Sequence, residues 1–112
     1  MTEVPYETPA TIAEWADKAF GEMQGFARAG ERAREELDEL IKELQHLDAL
    51  GGDVTESDIA KAGEEIADVL ICIARLAHEL GVNTRLAVDA KMKKNRKRRW
   101  KRDGSGHGYH VK

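Results

Sequence analysis

The sequence predicts an all-α protein. Only two Pro, few aromatics (5%) and 35% charged residues suit a helical chain. Apolar residues recur at helical spacing through long stretches. The breaks between those stretches coincide with Gly and Asn, the residues that end and begin helices. The expected architecture is a set of antiparallel helical hairpins forming a four-helix-bundle-like domain over residues 9–100. A loose lead-in over residues 1–8 precedes it and an irregular tail over 101–112 follows. At 112 residues the chain is one domain, small enough that its helices need a partner chain to complete a core.

In the first helix, expected over about residues 9–23, Ile12, Trp15, Ala16, Ala19, Phe20 and Met23 follow helical spacing. Thr8-Pro9 offers a cap with Pro at the first helical position, and Thr11 with Glu14 offers a capping box instead. Gly21 and Gly25 weaken the end of this helix, and Gly30 marks an irregularity before the second. That helix should run from about Glu31 to Leu50, with the stripe Leu37, Leu40, Ile41, Leu44 and Leu47. Gly51-Gly52-Asp53 breaks it.

Thr55 or Ser57 caps the third helix, which extends to about Leu80. Its stripe is the strongest in the chain: Ile59, Ala62, Ile66, Val69, Leu70, Ile73, Leu76, Ala77 and Leu80. Gly81 falls where a left-handed C-terminal cap is expected, and Val82 is placed to pack back on the last turn. Asn83 caps a fourth helix, from Thr84 to near Trp100. The remaining residues contain three Gly and two His and read as irregular.

Composition narrows the function. The single Cys72 excludes an internal disulfide and favours a reducing cytoplasm. The longest apolar run, Val69 to Ala74, is too short to span a bilayer, and Met1 to Pro5 has no signal-peptide character. Charge is strongly asymmetric. Residues 91–102 hold nine basic residues and no acidic one, whereas residues 1–90 carry eight basic against twenty acidic. An acidic body with a basic arm implies an anionic ligand held between them, or nucleic acid on the arm.

One phrase occurs twice. Glu35-Glu36-Leu37-Asp38-Glu39-Leu40-Ile41 recurs as Glu64-Glu65-Ile66-Ala67-Asp68-Val69-Leu70, and Gly51-Gly52 lies midway between the copies. Folding back at that Gly pair sets Glu36 level with Asp68 and Glu39 level with Glu65. At about 100° per residue, Glu36 and Glu39 sit at roughly 260° and 200° from Leu37, and Glu65 and Asp68 sit at the same angles from Ile66. Either motif alone reads as a solvated acidic face. The two together, at matching angles, favour a metal centre. Glu36, Glu39, Glu65 and Asp68 are its candidate ligands, and a hard cation such as Mg²⁺, with Mn²⁺ as the alternative, suits their oxygens.

In the fourth helix Lys91, Asn95 and Arg98 share a stripe, which makes a cradle for polyphosphate oxygens. Nine positive charges also suit a nucleic-acid backbone. The acidic body and the lack of interleaved aromatics other than Trp100 weigh against that. Trp15 and Phe20 read as core or dimer contacts, although an aromatic near a nucleotide site can stack on a base. Tyr109 can touch a nucleobase if the tail folds over the site.

These residues resemble the MazG-like all-α nucleoside triphosphate pyrophosphohydrolases. That family's signature is Glu-Glu-x-x-Glu on one helix and Glu-Glu-x-x-Asp on the next. A third element is similar to Lys91-Met92-Lys93-Lys94-Asn95-Arg96-Lys97-Arg98-Arg99-Trp100. The resemblance covers about residues 11–100 and points to the short single-domain members, because no Cys-Pro-Trp-Asp-type segment precedes the first motif. It implies Mg²⁺-dependent hydrolysis of a (deoxy)nucleoside triphosphate to the monophosphate and pyrophosphate. Metal-bound water attacks the α-phosphate, with Glu35 or Glu36 taking its proton. By motif position Glu36, Glu39, Glu65 and Asp68 hold metal, and Lys91, Asn95 and Arg98 hold the phosphates. Homodimers or homotetramers are implied, with helices from different chains completing each site.

Overall fold

The structure is a computed structural model, and it describes residues 6–112. Most of the expected lead-in, together with the stretch read for a signal peptide, lies outside the described residues. Four helices appear in order: α1 (Pro9–Phe20), α2 (Phe26–Leu50), α3 (Glu56–Leu80) and α4 (Thr84–Lys97). Two strands follow, β1 (Arg99–Arg102) and β2 (Gly108–Val111). These elements form two compact units, one ending at Gly81 and the other Val82–Lys112.

In the first unit α2 and α3 form a helical hairpin, and α1 packs on α3. Thr8 caps α1 through its hydroxyl, which accepts from the Thr11 amide at 3.2 Å, and Pro9 opens the helix. The helix stops at Phe20, three residues short of expectation, because Gly21 takes φ 84° and leaves the helical path. The irregularity expected at Gly30 is absent: α2 starts at Phe26 and runs straight through it. One Gly costs a helix about 1 kcal/mol, which flanking residues easily offset over 25 positions. Gly51 turns the chain at φ 57°, and a short 3₁₀ turn over Gly51–Asp53 leads to the α3 cap. There Thr55 and Asp58 cap each other: the Asp58 amide donates to the Thr55 hydroxyl, and Asp58 Oδ2 accepts from the Thr55 amide at 2.9 Å. Gly81 ends α3 in the left-handed region, as expected.

The buried core consists of alanines: Ala13, Ala16, Ala33, Ala62 and Ala77. Small side chains let the helices approach closely, but they bury little area. The expected α2 stripe divides. Leu40 and Leu47 turn partly inward beside Glu36 and Glu43, whereas Leu37, Ile41 and Leu44 stay exposed. On α3, Ala62, Glu65, Val69, Cys72 and Leu76 turn inward, and Ile59, Ile66, Leu70 and Ile73 stay outside. Both sets follow the i, i+3, i+4, i+7 spacing of one helical face. Glu36 and Glu65 therefore lie on the inward faces of the hairpin, Asp68 is exposed beside them, and much of the apolar surface lies outside the contact.

In the second unit Asn83 caps α4 by accepting from the Leu86 amide at 3.1 Å. The helix ends at Lys97, earlier than expected, because Arg98 adopts an extended conformation. The tail expected to be irregular is an antiparallel hairpin, with Trp100 opposite His110 and Lys101 opposite Tyr109. Its loop is built by Asp103, whose Oδ1 accepts from the Ser105 amide at 2.8 Å and from its hydroxyl, between Gly104 and Gly106, both at φ 92°. Gly108 is required by close approach, since a Cβ there would run into the Lys101 carbonyl.

Candidate metal centre

Helix register brings the doubled phrase together. Glu36 of α2 and Glu65 and Asp68 of α3 each place a carboxylate oxygen within 4.8 Å of the others. Nearer the turn His46 Nε2 lies 3.8 Å from Asp58 Oδ1, which continues the same register along the hairpin. Glu39, the fourth expected ligand, stands outside this triad and pairs with Lys42 Nζ at 3.5 Å. It still acts on the cluster. Partial burial, then the charges of Asp68, Glu36, Glu39 and Glu43, push the Glu65 carboxyl above its ordinary range. A group raised by neighbouring anions is one that a cation would relieve.

Glu43 escaped the sequence reading. It lies one turn past Glu39 on the inward face, and its Oε1 is buried without a hydrogen-bond partner among the described residues. The signal was its spacing from Glu36, which matches the inward-facing positions of α2. It has no counterpart in the second copy of the phrase, so the repeat could not reveal it.

Guanidinium groups flank the centre on α2. Arg32 contacts Glu36 through Nη2 and lies 3.1 Å from Glu35 Oε2 through Nη1. Arg28 Nη1 reaches the other Glu35 oxygen at 3.1 Å. Hydrogen bonding from Arg28, reinforced by Arg32, holds the Glu35 carboxyl below the usual glutamate range. Arg28 and Arg32 lie outside the doubled phrase, so its spacing does not reveal them.

Glu36 and Asp68 of the triad line a groove of about 490 Å³. Glu36, Asp68 and Cys72 lie along it, and Trp15, Phe20 and the Gly21–Gly25 connection form another part of its wall. Trp15 and Phe20 meet edge to face, with ring centroids 5.3 Å apart, and both remain largely open to solvent. Arg75 of α3 fixes that wall: Nη2 donates to Asp17 Oδ1 at 2.9 Å and to the Gly21 carbonyl at 2.6 Å. Burial pushes the Cys72 thiol up, and Glu36 and Asp68 add to the effect, so it stays a protonated packing group.

The basic stripe belongs to the second unit. Lys91 and Asn95 lie one turn apart on α4, but Arg98 is beyond the helix end, so the expected three-residue stripe is broken at its last member. Asn95 is half-buried; its Oδ1 has no partner among the described residues, and its carbonyl accepts from the Trp100 indole at 2.8 Å. Trp100 packs on His110, with centroids 5.8 Å apart. Tyr109 is exposed on β2.

Comparison with known proteins identifies the family and the fold. The sequence pattern of the MazG-like family matches residues 30–108. Among solved structures, the chain is similar to a cyanophage S-2L MazG-like pyrophosphohydrolase bound to dGDP and three catalytic Mn²⁺ ions per active site. The two share 30% identity, the match covers 93% of each chain, and the TM-score is 0.56. No curated protein matches the sequence. The chain belongs to the MazG-like family, with that family's all-α fold.

Proposed function

We propose that this chain is a metal-dependent pyrophosphohydrolase that cleaves a (deoxy)nucleoside triphosphate between the α- and β-phosphates, releasing the monophosphate and pyrophosphate. The observation that carries this reading is the Glu36–Glu65–Asp68 triad, two of whose members, Glu36 and Asp68, line a groove with an aromatic wall. Oxygen-only ligands select a hard divalent cation, Mg²⁺ or Mn²⁺. When bound, such an ion neutralises phosphate charge and makes water a better nucleophile.

The chain's own groups supply the rest. Glu36, Glu65 and Asp68 would hold the ion, with Glu39, paired with Lys42 in this structure, as the fourth candidate ligand. Glu35 or Glu36 takes the proton of the attacking water, and the two guanidiniums that hold Glu35 below the usual glutamate range make it a weak acceptor. Lys91, Asn95 and Arg98 bind phosphate oxygens. Trp15 stacks on the base, with Tyr109 as the second candidate contact. The cyanophage relative holds dGDP, which makes guanine the first base to test.

The working form is a homo-oligomer, dimer or tetramer. Leu37, Ile41, Ile66, Leu70 and Ile73 are each at least 41% exposed on one chain, and a second copy covering them would complete the core. No described helix is long and apolar enough to cross a membrane, and the single thiol suits the cytoplasm.

Pyrophosphate release should be assayed over all common dNTPs and NTPs with Mg²⁺ or Mn²⁺. Activity on at least one, abolished in Glu39→Gln and Asp68→Asn with helicity retained, is the expected result. Inactivity of a folded oligomer across the panel would sink the proposal. The rival reading, nucleic-acid binding by residues 91–102, predicts salt-steep binding that survives both substitutions.

A further inference from the structure

The triad already has a counter-ion. Three carboxylates share a small volume, and Arg32 is the guanidinium that touches one of them, Glu36. Glu36 is only 14% exposed, whereas Arg32 is 52% exposed, so the pair stands at the rim with its acid end inward. Arg32 has a second anchor on the same helix, Glu35 at 3.1 Å. Glu35 is itself steadied by Arg28, which reaches Glu31 at 3.7 Å as well. Arg28 and Arg32 both line the groove. Glu36 Oε1 is paired with Arg32, so one of the three acids that a metal would need is already engaged.

We propose that Arg32 is a displaceable resident counter-ion of the centre. It neutralises Glu36 in the metal-free chain and yields that carboxylate when a divalent cation arrives. It then stays tethered by Glu35 at the groove wall, where its freed Nη2 donates to a phosphate oxygen of the substrate. This rests on the metal-centre reading above and adds to it an exchange between two states of one side chain. The exchange is easily made. A half-exposed ion pair holds its partner by a factor of about five at most, while a divalent cation brings twice the charge to three acids at once. Glu35 thereby becomes a positioning residue, keeping the released guanidinium at the groove.

The test uses opposite signs on two ligands. Mn²⁺ alone is titrated into the full-length wild-type protein and into Arg32→Gln, Arg32→Lys and Arg34→Gln, with free Mn²⁺ read by electron paramagnetic resonance. KM for the preferred nucleotide is then measured for each. Arg34 carries the same charge on α2 but lines neither the groove nor an ion pair among the described residues, so it reports the general charge effect. Arg32→Gln should bind Mn²⁺ about fivefold more tightly than wild type while its KM rises about tenfold. Arg34→Gln should change each less than about twofold. Arg32→Lys, which keeps the charge, should fall between wild type and Arg32→Gln. Equal Mn²⁺ affinity in wild type, Arg32→Gln and Arg34→Gln would overturn the counter-ion role and leave the metal centre standing. Absence of Mn²⁺ binding in all of them would overturn both.

Discussion

Glu36 on α2 and Asp68 on α3 hold carboxylate oxygens within 4.8 Å of one another, and Arg32 pairs with Glu36 at the rim. Two anions at that distance repel, and Arg32 offsets the charge of only one of them, Glu36. Replacing Asp68 with its amide should therefore have two opposite effects. Asp68→Asn and Glu36→Gln should each lower kcat/KM by at least about a hundredfold. Asp68→Asn should also raise the melting temperature of the metal-free chain. Calorimetry in chelator, beside pyrophosphate assays, checks both. A loss of activity accompanied by lower metal-free stability would point to a structural defect instead.

The raised Glu65 carboxyl gives a pH signature. Its folded pKa lies above the unfolded value, so the folded state keeps a proton that the unfolded state releases. That contribution to stability is complete below the ordinary glutamate value of 4.5 and disappears as pH climbs through the shifted one. Asp58, lowered by the Thr55 amide and hydroxyl, behaves oppositely: its contribution is present above the ordinary aspartate value and is lost as pH falls through the shifted one. Melts between about pH 4 and 7 in chelator should show the wild type losing stability relative to Glu65→Gln as pH rises. Saturating Mn²⁺ should reverse the trend, because the metal binds the ionised form.

Gly108 sits where the tail hairpin leaves no room for a side chain. Gly108→Val should cost about 2 kcal/mol within the second unit through overpacking. Amide hydrogen exchange should then accelerate at Arg99–Arg102 while α2 and α3 keep their protection. Uniform acceleration across both units would contradict the division of the chain at Gly81.

Leu70 is 60% exposed on a single chain. Placing a charge there should cost at least about 2 kcal/mol of association, shifting the oligomer's dissociation constant by roughly thirtyfold or more. Sedimentation of Leu70→Asp against wild type over a range of concentrations measures it. An unchanged oligomer would put the interface elsewhere.

Much of the centre was legible because a repeat on two helices leaves few ways to superpose its halves. Glu36, Glu65 and Asp68 fell out of spacing and the Gly pair, and the caps at Thr8, Thr55, Gly81 and Asn83 followed from their residue types. Glu39 and Arg32 were not resolved, because periodicity gives the face of a helix but not which neighbour a long side chain selects. The tail was misread for another reason. Arg99-Trp-Lys-Arg and Gly-Tyr-His-Val are short, and the Gly residues that make the turn also mimic disorder. The apolar stripes are limited in a third way: spacing marks an apolar face of a helix and does not say what packs against it.

Helix α3 carries Asp68 at the carboxylate end of the groove and, two turns on, Arg75, which grips the Gly21 carbonyl beneath the aromatic wall. At about 1.5 Å per residue these positions stand about 10 Å apart along one rigid rod. The separation between the two ends of any ligand in the groove is thus set by a single helix rather than by loops. Insertion of one residue between Asp68 and Arg75 would swing the clamp by about 100° and detach the wall while leaving the three acids in place. The helix serves as a gauge of ligand length.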